Sequence, residues 1–537
     1  MSNKFDNKNE SHPWARLPYF LIFIFGLTIA LFFIYSWKTI DEGDNISVGW
    51  LLTEGKVLYT NIFSHHFPFP YFFLSLFFRV FQPSVFIARL SLILFELSAF
   101  LFLFFTTKRY STISLTYLFW TIISRFFLGN LVLYYSFTGV SIFAIFVLAI
   151  SICSENSRDG KERFTVPAIL GFSTFTTISV LSDPTSAIPI FCVTLGLLIT
   201  TKRLKNILII VLAVTFLISL FILYLIVNHA VHAFIQNAIV FNHAYYLNYN
   251  SGSSNLFTTL WTFVKNFNPF SNSFALNPGG LPRNIRDSSH LIQWFFGGFY
   301  YRIVLIVFTI VIGISQKWKT AVWVLLFFIS LFFRSDVFFH PISVLLISTF
   351  CSFYLLAVFG TNIMQFKKFT SSFLTLSRFF FEFLCSLMII FFISSMVYFS
   401  ILDIRKIPDQ NSYSTSFGSY ETKIQRISTL TCNLEDVKIA SYPSDPYIYL
   451  LAKKEPFEGY LFMYPWIVDV AKEKVLLSLE NQKQSFILLS IDKEGSFWGS
   501  KNADYLADYI NYLDENYIQT EDGYYLSPGI YTACHTK

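Results

Sequence analysis

The amino-acid sequence predicts a polytopic α-helical membrane protein of about eleven transmembrane helices, followed by a small C-terminal soluble α/β domain. Three observations predict it. The 537-residue chain is 54% hydrophobic and only 13% charged, with a mean hydropathy of +0.53, more apolar than a water-solvated globule requires. Apolar runs approaching the roughly 20 residues needed to cross a bilayer recur along most of the chain. From about residue 403 onward the runs shorten and Asp, Glu, Lys, Ser and Tyr become frequent. The expected division is therefore a membrane domain over residues 1–402 and an extracytoplasmic soluble domain over 403–537.

The spans read from the runs are 17–37, 85–107, 112–133, 138–153, 165–182, 185–201, 206–227, 293–315, 320–333, 341–361 and 379–402. The first is too long for a signal-peptide core and no small-residue cleavage site follows it, so it is expected to stay as a membrane helix. The formal net charge of +6 does not point to nucleic acid, because the basic residues sit in short clusters between apolar runs. Lys108 and Arg109, then Arg158, Lys161 and Arg163, then Lys202, Arg203 and Lys205, then Lys317 and Lys319, then Lys367 and Lys368 fall at alternate connections. Short loops rich in Lys and Arg stay inside, which places the N-terminus in the cytoplasm of a multi-pass protein of the inner (plasma) membrane.

The opposite connections are then external: a first loop over 38–84, turns at 134–138, 182–185 and 334–340, and a long loop over 228–292. The polar tail lies on the same side. Its segment 485–491 reads as a buried strand and 503–513 has helical apolar spacing. Cys432 and Cys534 flank most of it, and their pairing would suit an oxidising compartment. Cys153, Cys192, Cys351 and Cys385 lie in or beside apolar runs, where thiols act as small hydrophobes.

In the first loop, Ile46, Trp50 and Leu51 share a helical face, so this stretch is expected along the membrane surface. Residues 69–81 are strongly apolar, but about 13 residues reach only about 20 Å as a helix, short of a 30 Å core. Asp41, Glu42 and Asp44 stand at the exit of the first span. Such a cluster can act as a general base, hold a divalent cation on a phosphate, or simply cap a helix end. No motif demands any other cofactor.

The segment DEGDNISVGWLLTEGKVLYTNIFSHHFPFPYFFL resembles the first periplasmic loop of the multi-spanning GT-C glycosyltransferases, especially protein O-mannosyltransferases, lipid A aminoarabinose transferases and core galacturonosyl transferases. The matching residues are Asp41, Glu42, Gly55, Tyr59, His65 or His66, Pro68 and Tyr71. By that resemblance Asp41 is the catalytic carboxylate, with Glu42 the neighbour most easily confused with it. The donor is a polyprenyl-phosphate sugar, the acceptor an extracytoplasmic glycan, lipid or protein, and transfer inverts the anomeric centre. His65 and His66 take the place of a cationic side chain near the donor phosphate, or stand as interfacial aromatics. One departure is plain: where some members carry another acidic residue at the start of the fourth helix, this chain has Gly139.

The turn RSDVFFHP resembles the family's late external turn, with Arg334 and His340 as candidates for the donor phosphate; Arg334 can equally pair with Asp336. In the long loop, Arg283 and Arg286 can hold an anionic acceptor or remain solvated. The tail motif from Tyr442 to Tyr460 resembles the start of the family's soluble domain, and its Asp445 sits in a turn-forming Ser-Asp-Pro. No phosphate-cradling glycine loop, zinc-spaced Cys/His set or nucleophile elbow is present. Two rival classes are a lipid or solute transporter and a membrane scaffold. A transporter calls for charges or broken helices near the midplane, for which Glu96 and Glu382 are the candidates.

Overall fold

The structure is a computed structural model that describes residues 16–36, 38–128, 130–155, 165–246, 318–331, 341–363, 412–497 and 499–535. The expected spans 293–315 and 379–402 lie outside the described residues, as do Arg283, Arg286, Arg334, His340 and Glu382.

The apolar runs fold as helices close to their expected limits. In chain order these are α1 (Leu17–Phe32), α2 (Ile40–Thr53), α3 (Phe69–Val80), α4 (Val85–Thr107), α5 (Tyr110–Leu128), α6 (Tyr134–Glu155), α7 (Val166–Ser182), α8 (Ala187–Thr201), α9 (Leu204–Val227), α10 (Trp318–Leu331) and α11 (Pro341–Ile363). Among the described residues four helical stretches are long and apolar enough to cross a membrane, in α4, in α6, in α8 with the turn before it, and in α9; several shorter apolar helices accompany them.

Burial sorts these helices into layers. α6 is buried along its apolar length, packed by α4, α7, α8 and α11. α9 is the opposite: Leu212, Phe216, Leu220, Leu223 and Val227 are exposed. An outward stripe of large apolar side chains is what a helix facing lipid presents. Among the described residues Glu96 of α4, the candidate midplane charge, forms a buried ion pair with Arg125 of α5.

α1 ends at Phe32 rather than at residue 37. In the segment that follows, Arg89, near the start of α4, donates to the carbonyl oxygens of Ile34 (2.8 Å) and Ser36 (3.2 Å), satisfying backbone acceptors outside any helix.

The tail is an α/β unit. After α12 (Tyr413–Leu430) come β1 (Lys438–Tyr442), α13 (Tyr447–Ala452), α14 (Pro465–Asn481) and β2 (Ile487–Ile491). A short hairpin of β3 (Ser496–Phe497) and β4 (Ser500–Lys501), then α15 (Ala507–Asn516), β5 (Ile518–Gln519), β6 (Tyr524–Leu526) and α16 (Pro528–His535) complete it. The main sheet has the order β1-β2-β6-β5. β1 and β2 run parallel with Ala440 opposite Leu489; parallel neighbours need a crossover, which α13 and α14 supply. Cys432 and Cys534 are joined as a disulfide.

Among the described residues two large apolar cores result, with a small third cluster of Ala30, Ile34 and Ile93. One fills the bundle around α6. The other runs without a break from Ile46, Leu51 and Tyr71 of the first loop through Tyr447 and Leu450 into Leu488 and Leu489 of the sheet. First loop and tail are thus a single packed layer. Within this layer α2 is buried on both faces: Asn45, Ser47, Val48, Gly49 and Leu52 are buried as well as Ile46, Trp50 and Leu51, and the helix is packed between α3 and α13.

Candidate functional site

The site is built on the first turns of α2. Thr39 caps the helix, its side chain accepting from the Glu42 amide at 3.2 Å, which sets Asp41 and Glu42 in the first turn, where the exposed N–H groups favour negative charge.

Glu42 faces inward and is fully engaged. Its carboxylate takes a two-pronged bond from Arg89, Nε to Oε1 at 2.9 Å and Nη2 to Oε2 at 2.6 Å, and both side chains are completely buried. The Val132 amide donates to Oε1 at 3.1 Å, and the Tyr447 hydroxyl of the tail donates to Oε2. Such a carboxylate has no lone pair directed at a substrate; it fastens α1, α2, α4, the start of α6 and the tail together. Arg89 and Tyr447 were missed in the sequence. The available signal was an arginine in the apolar run VFIARLSLIL directly after the loop carboxylates.

Asp41, one residue earlier, points away from that clamp. It is accessible at the start of α2, while the protein around it is dense enough to desolvate its carboxyl. Desolvation there raises its carboxyl to about 6, and among the described residues no cation pairs with it. Asp44 lies one turn further along, on the same side of the helix. It is 2% exposed. Tyr71 of α3 donates to its Oδ2 at 2.9 Å, Ser64 lies 2.7 Å from the Tyr71 hydroxyl, and Oδ1 is buried without a partner. Burial, and then the charge of Asp41, push the Asp44 carboxyl up to about 7 against the opposing hydrogen bond from Tyr71.

The two histidines sit on the loop beyond α2. His65 is 6% exposed, and burial lowers its pKa to about 4, so its ring is neutral at neutral pH and would meet an anion as a hydrogen-bond donor rather than as a cation. His66 is half-buried, with its ring 4.0 Å from that of His65 and stacked on Tyr134 at 5.0 Å. The described start of the long loop, 228–246, closes over this segment: Asn237 donates to the Tyr59 carbonyl (3.0 Å) and Asn242 to the His65 carbonyl (2.6 Å).

The tail supplies the opposite wall. Ser47 donates to the Pro446 carbonyl at 2.6 Å, the Phe63 amide to the Gly459 carbonyl at 3.1 Å, and Lys56 pairs with Glu455 at 2.7 Å. Two glycines allow the approach. A Cβ at Gly43 would meet the Tyr447 ring at 2.8 Å, and one at Gly459, where φ is +76°, would meet the Asn61 carbonyl oxygen at 2.1 Å. The tail motif expected from Tyr442 to Tyr460 is therefore the docking segment. Asp445 within it receives bonds from Tyr420 and Lys423, a structural arrangement. Tyr464, next to the motif, is held protonated far above its ordinary range by burial and then by the charge of Asp41. Among the described residues no group of three or more His, Cys, Asp or Glu is placed to hold a metal ion.

The described residues form an apolar helical bundle, four of whose helical stretches are long and apolar enough to cross a membrane, with a carboxylate helix under a docked α/β tail. No protein-family model and no curated protein matches the chain in sequence. Among solved structures it resembles ArnT from Cupriavidus metallidurans in the apo state, at 9% identity and a TM-score of 0.52 over 96% of this chain and 99% of that one. It also resembles the same protein bound to undecaprenyl phosphate, at 10% identity and a TM-score of 0.51 over 96% and 97%. Likeness at that identity carries the architecture alone.

Proposed function

We propose that this protein is a membrane glycosyltransferase that moves a hexosyl or pentosyl unit from a polyprenyl-phosphate donor to an extracytoplasmic acceptor. The acceptor classes are lipid A or another lipopolysaccharide, a cell-envelope glycan, or a protein. Asp41 is the base: it takes the proton from the acceptor hydroxyl or amine as that atom attacks the anomeric carbon. The bond from that carbon to the phosphate oxygen breaks on the opposite face, its electron pair leaves with the polyprenyl phosphate, and the configuration inverts.

The observation that carries this reading is the division of labour between adjacent carboxylates. Glu42 is locked to Arg89 and Tyr447, whereas Asp41 has no cationic partner among the described residues and a pKa near 6, where a base is ionised yet still accepts a proton at neutral pH. Undecaprenyl phosphate in the related fold supports a lipid-borne donor. His65 and His66 are candidates to donate to its phosphate; Arg283, Arg286, Arg334 and His340 remain candidates from sequence. The disulfide in the tail supports placing that domain outside the cytoplasm, with the N-terminus inside the inner membrane.

Asp41→Asn tests the assignment. In vesicles supplied with polyprenyl-phosphate sugar, transfer should fall by about 10²- to 10⁴-fold while the protein inserts and melts as the wild type. Because the base must be ionised, wild-type transfer should also decline as pH drops through about 6. Unchanged transfer by the variant, or movement of substrate across sealed vesicles without a new glycosidic bond, overturns the reading.

A further inference from the structure

Asp44 is buried as deeply as the carboxylate of the ion-paired clamp, yet no cation among the described residues meets it. We propose, building on the assignment of Asp41 as base, that Asp44 is the second carboxylic acid of the site: a positioning residue that stays protonated and so limits the pair to a single negative charge beside the anionic donor.

The geometry comes first. Asp41 and Asp44 are three residues apart on α2 and share a face, while Glu42 turns toward Arg89. The Tyr71 hydroxyl has one proton and gives it to Asp44 Oδ2. Its own lone pair then accepts from Ser64, whose oxygen receives the His66 amide at 3.1 Å. The chain of donors is directed at Oδ2, which leaves Oδ1, buried and without a partner, as the atom that carries the acid proton. An ionised carboxylate with one buried oxygen unpaired costs more than the neutral acid in the same place.

The titratable groups around Asp44 agree. From its own helix it feels Asp41, from α3 Tyr71 and from the tail Tyr464, and Arg89 is already neutralised by Glu42. Ionised Asp41 therefore pushes the neighbouring proton to stay on Asp44, the usual outcome when two carboxyls share a site. The chain thereby obtains from α2 the second acidic group that Gly139 does not provide. At alkaline pH Asp44 ionises, and a second negative charge then opposes the donor phosphate.

The test is the pH profile of kcat/KM for the donor, measured on the full chain in vesicles with polyprenyl-phosphate sugar. The wild type should lose activity on both sides, falling below pH about 6 and above pH about 7. Asp44→Asn fixes the neutral state and keeps the acceptor for Tyr71, so the alkaline decline should disappear while the acidic limb stays. Tyr71→Phe removes the bond that favours ionised Asp44, so the alkaline limb should move to higher pH. An Asp44→Asn profile that keeps the alkaline limb, or that is uniformly lowered at every pH, overturns the proposal. Retained transfer in Asp41→Asn would instead overturn the assignment of the base, so the two failures are distinguishable.

Discussion

The membrane bundle and the outer layer are built by different rules. The bundle core around α6 is apolar, with side chains such as Phe146 and Phe327 stacked in the interior. The outer layer joins positions far apart in the chain: Tyr447 reaches Glu42 across a separation of 405 residues and Ser47 reaches Pro446 across 399. The bundle is held by packing that tolerates exchange of one large apolar residue for another. The outer layer adds to its own apolar core a few buried polar contacts, each with a specific partner whose loss is expensive.

The comparison breaks most sharply at Arg89. Arg89→Ala leaves Glu42 charged and buried without its cation, which should cost about 3–5 kcal/mol and loosen α1, α4 and the tail together. Thermal melting of the purified protein, with limited proteolysis of the tail, would read both. If the tail remained as protected as in the wild type, loop and tail would not be a single cooperative layer.

A smaller effect is expected at Tyr447. Tyr447→Phe keeps the ring against Phe417 and removes only the hydrogen bond to Glu42, worth about 1.5–3 kcal/mol for a charged acceptor. Because the Arg89 bonds persist, transfer should fall through weakened tail docking, and proteolysis of the tail should quicken before the bundle melts. Equal loss of stability in Tyr447→Phe and Arg89→Ala would show that the hydroxyl, not the guanidinium, governs the clamp.

The smallest change is Ser47→Ala. It leaves the Pro446 carbonyl without its donor, for about 1 kcal/mol, and should shift the melting temperature slightly with no change in the pH profile of transfer. A changed profile would mean that the seam between loop and tail feeds directly into the ionisation of Asp41.

How much of this was legible in sequence differs between the two regions in the same way. α4 begins and ends where its apolar run does, at Val85 and Thr107, since spanning length and apolar content are properties of consecutive residues. α3 over Phe69–Val80 was readable for the same reason. The end of α1 was not, because the apolar run continues beyond Phe32, where the helix stops. The partners of the polar face of α2 were not legible either, since they come from separate segments: Asn45 reaches the Val132 carbonyl, Ser47 the Pro446 carbonyl, and Gly43 and Gly49 lie against Tyr447 and Leu74.

The sequence alone determined that this is a multi-spanning helical protein with an α/β tail, and it marked Asp41, Glu42 and the histidine pair as a group, since hydropathy and local motif depend only on neighbours in the chain. The tertiary structure decided which carboxylate is which. Arg89, Tyr447 and Tyr71 come from three separate segments, and their arrival makes Glu42 a clamp, keeps Asp44 buried beside Tyr71 and leaves Asp41 without a cationic partner among the described residues. Burial and partner geometry set the chemistry of an ionisable group, and neither is written in the residues beside it.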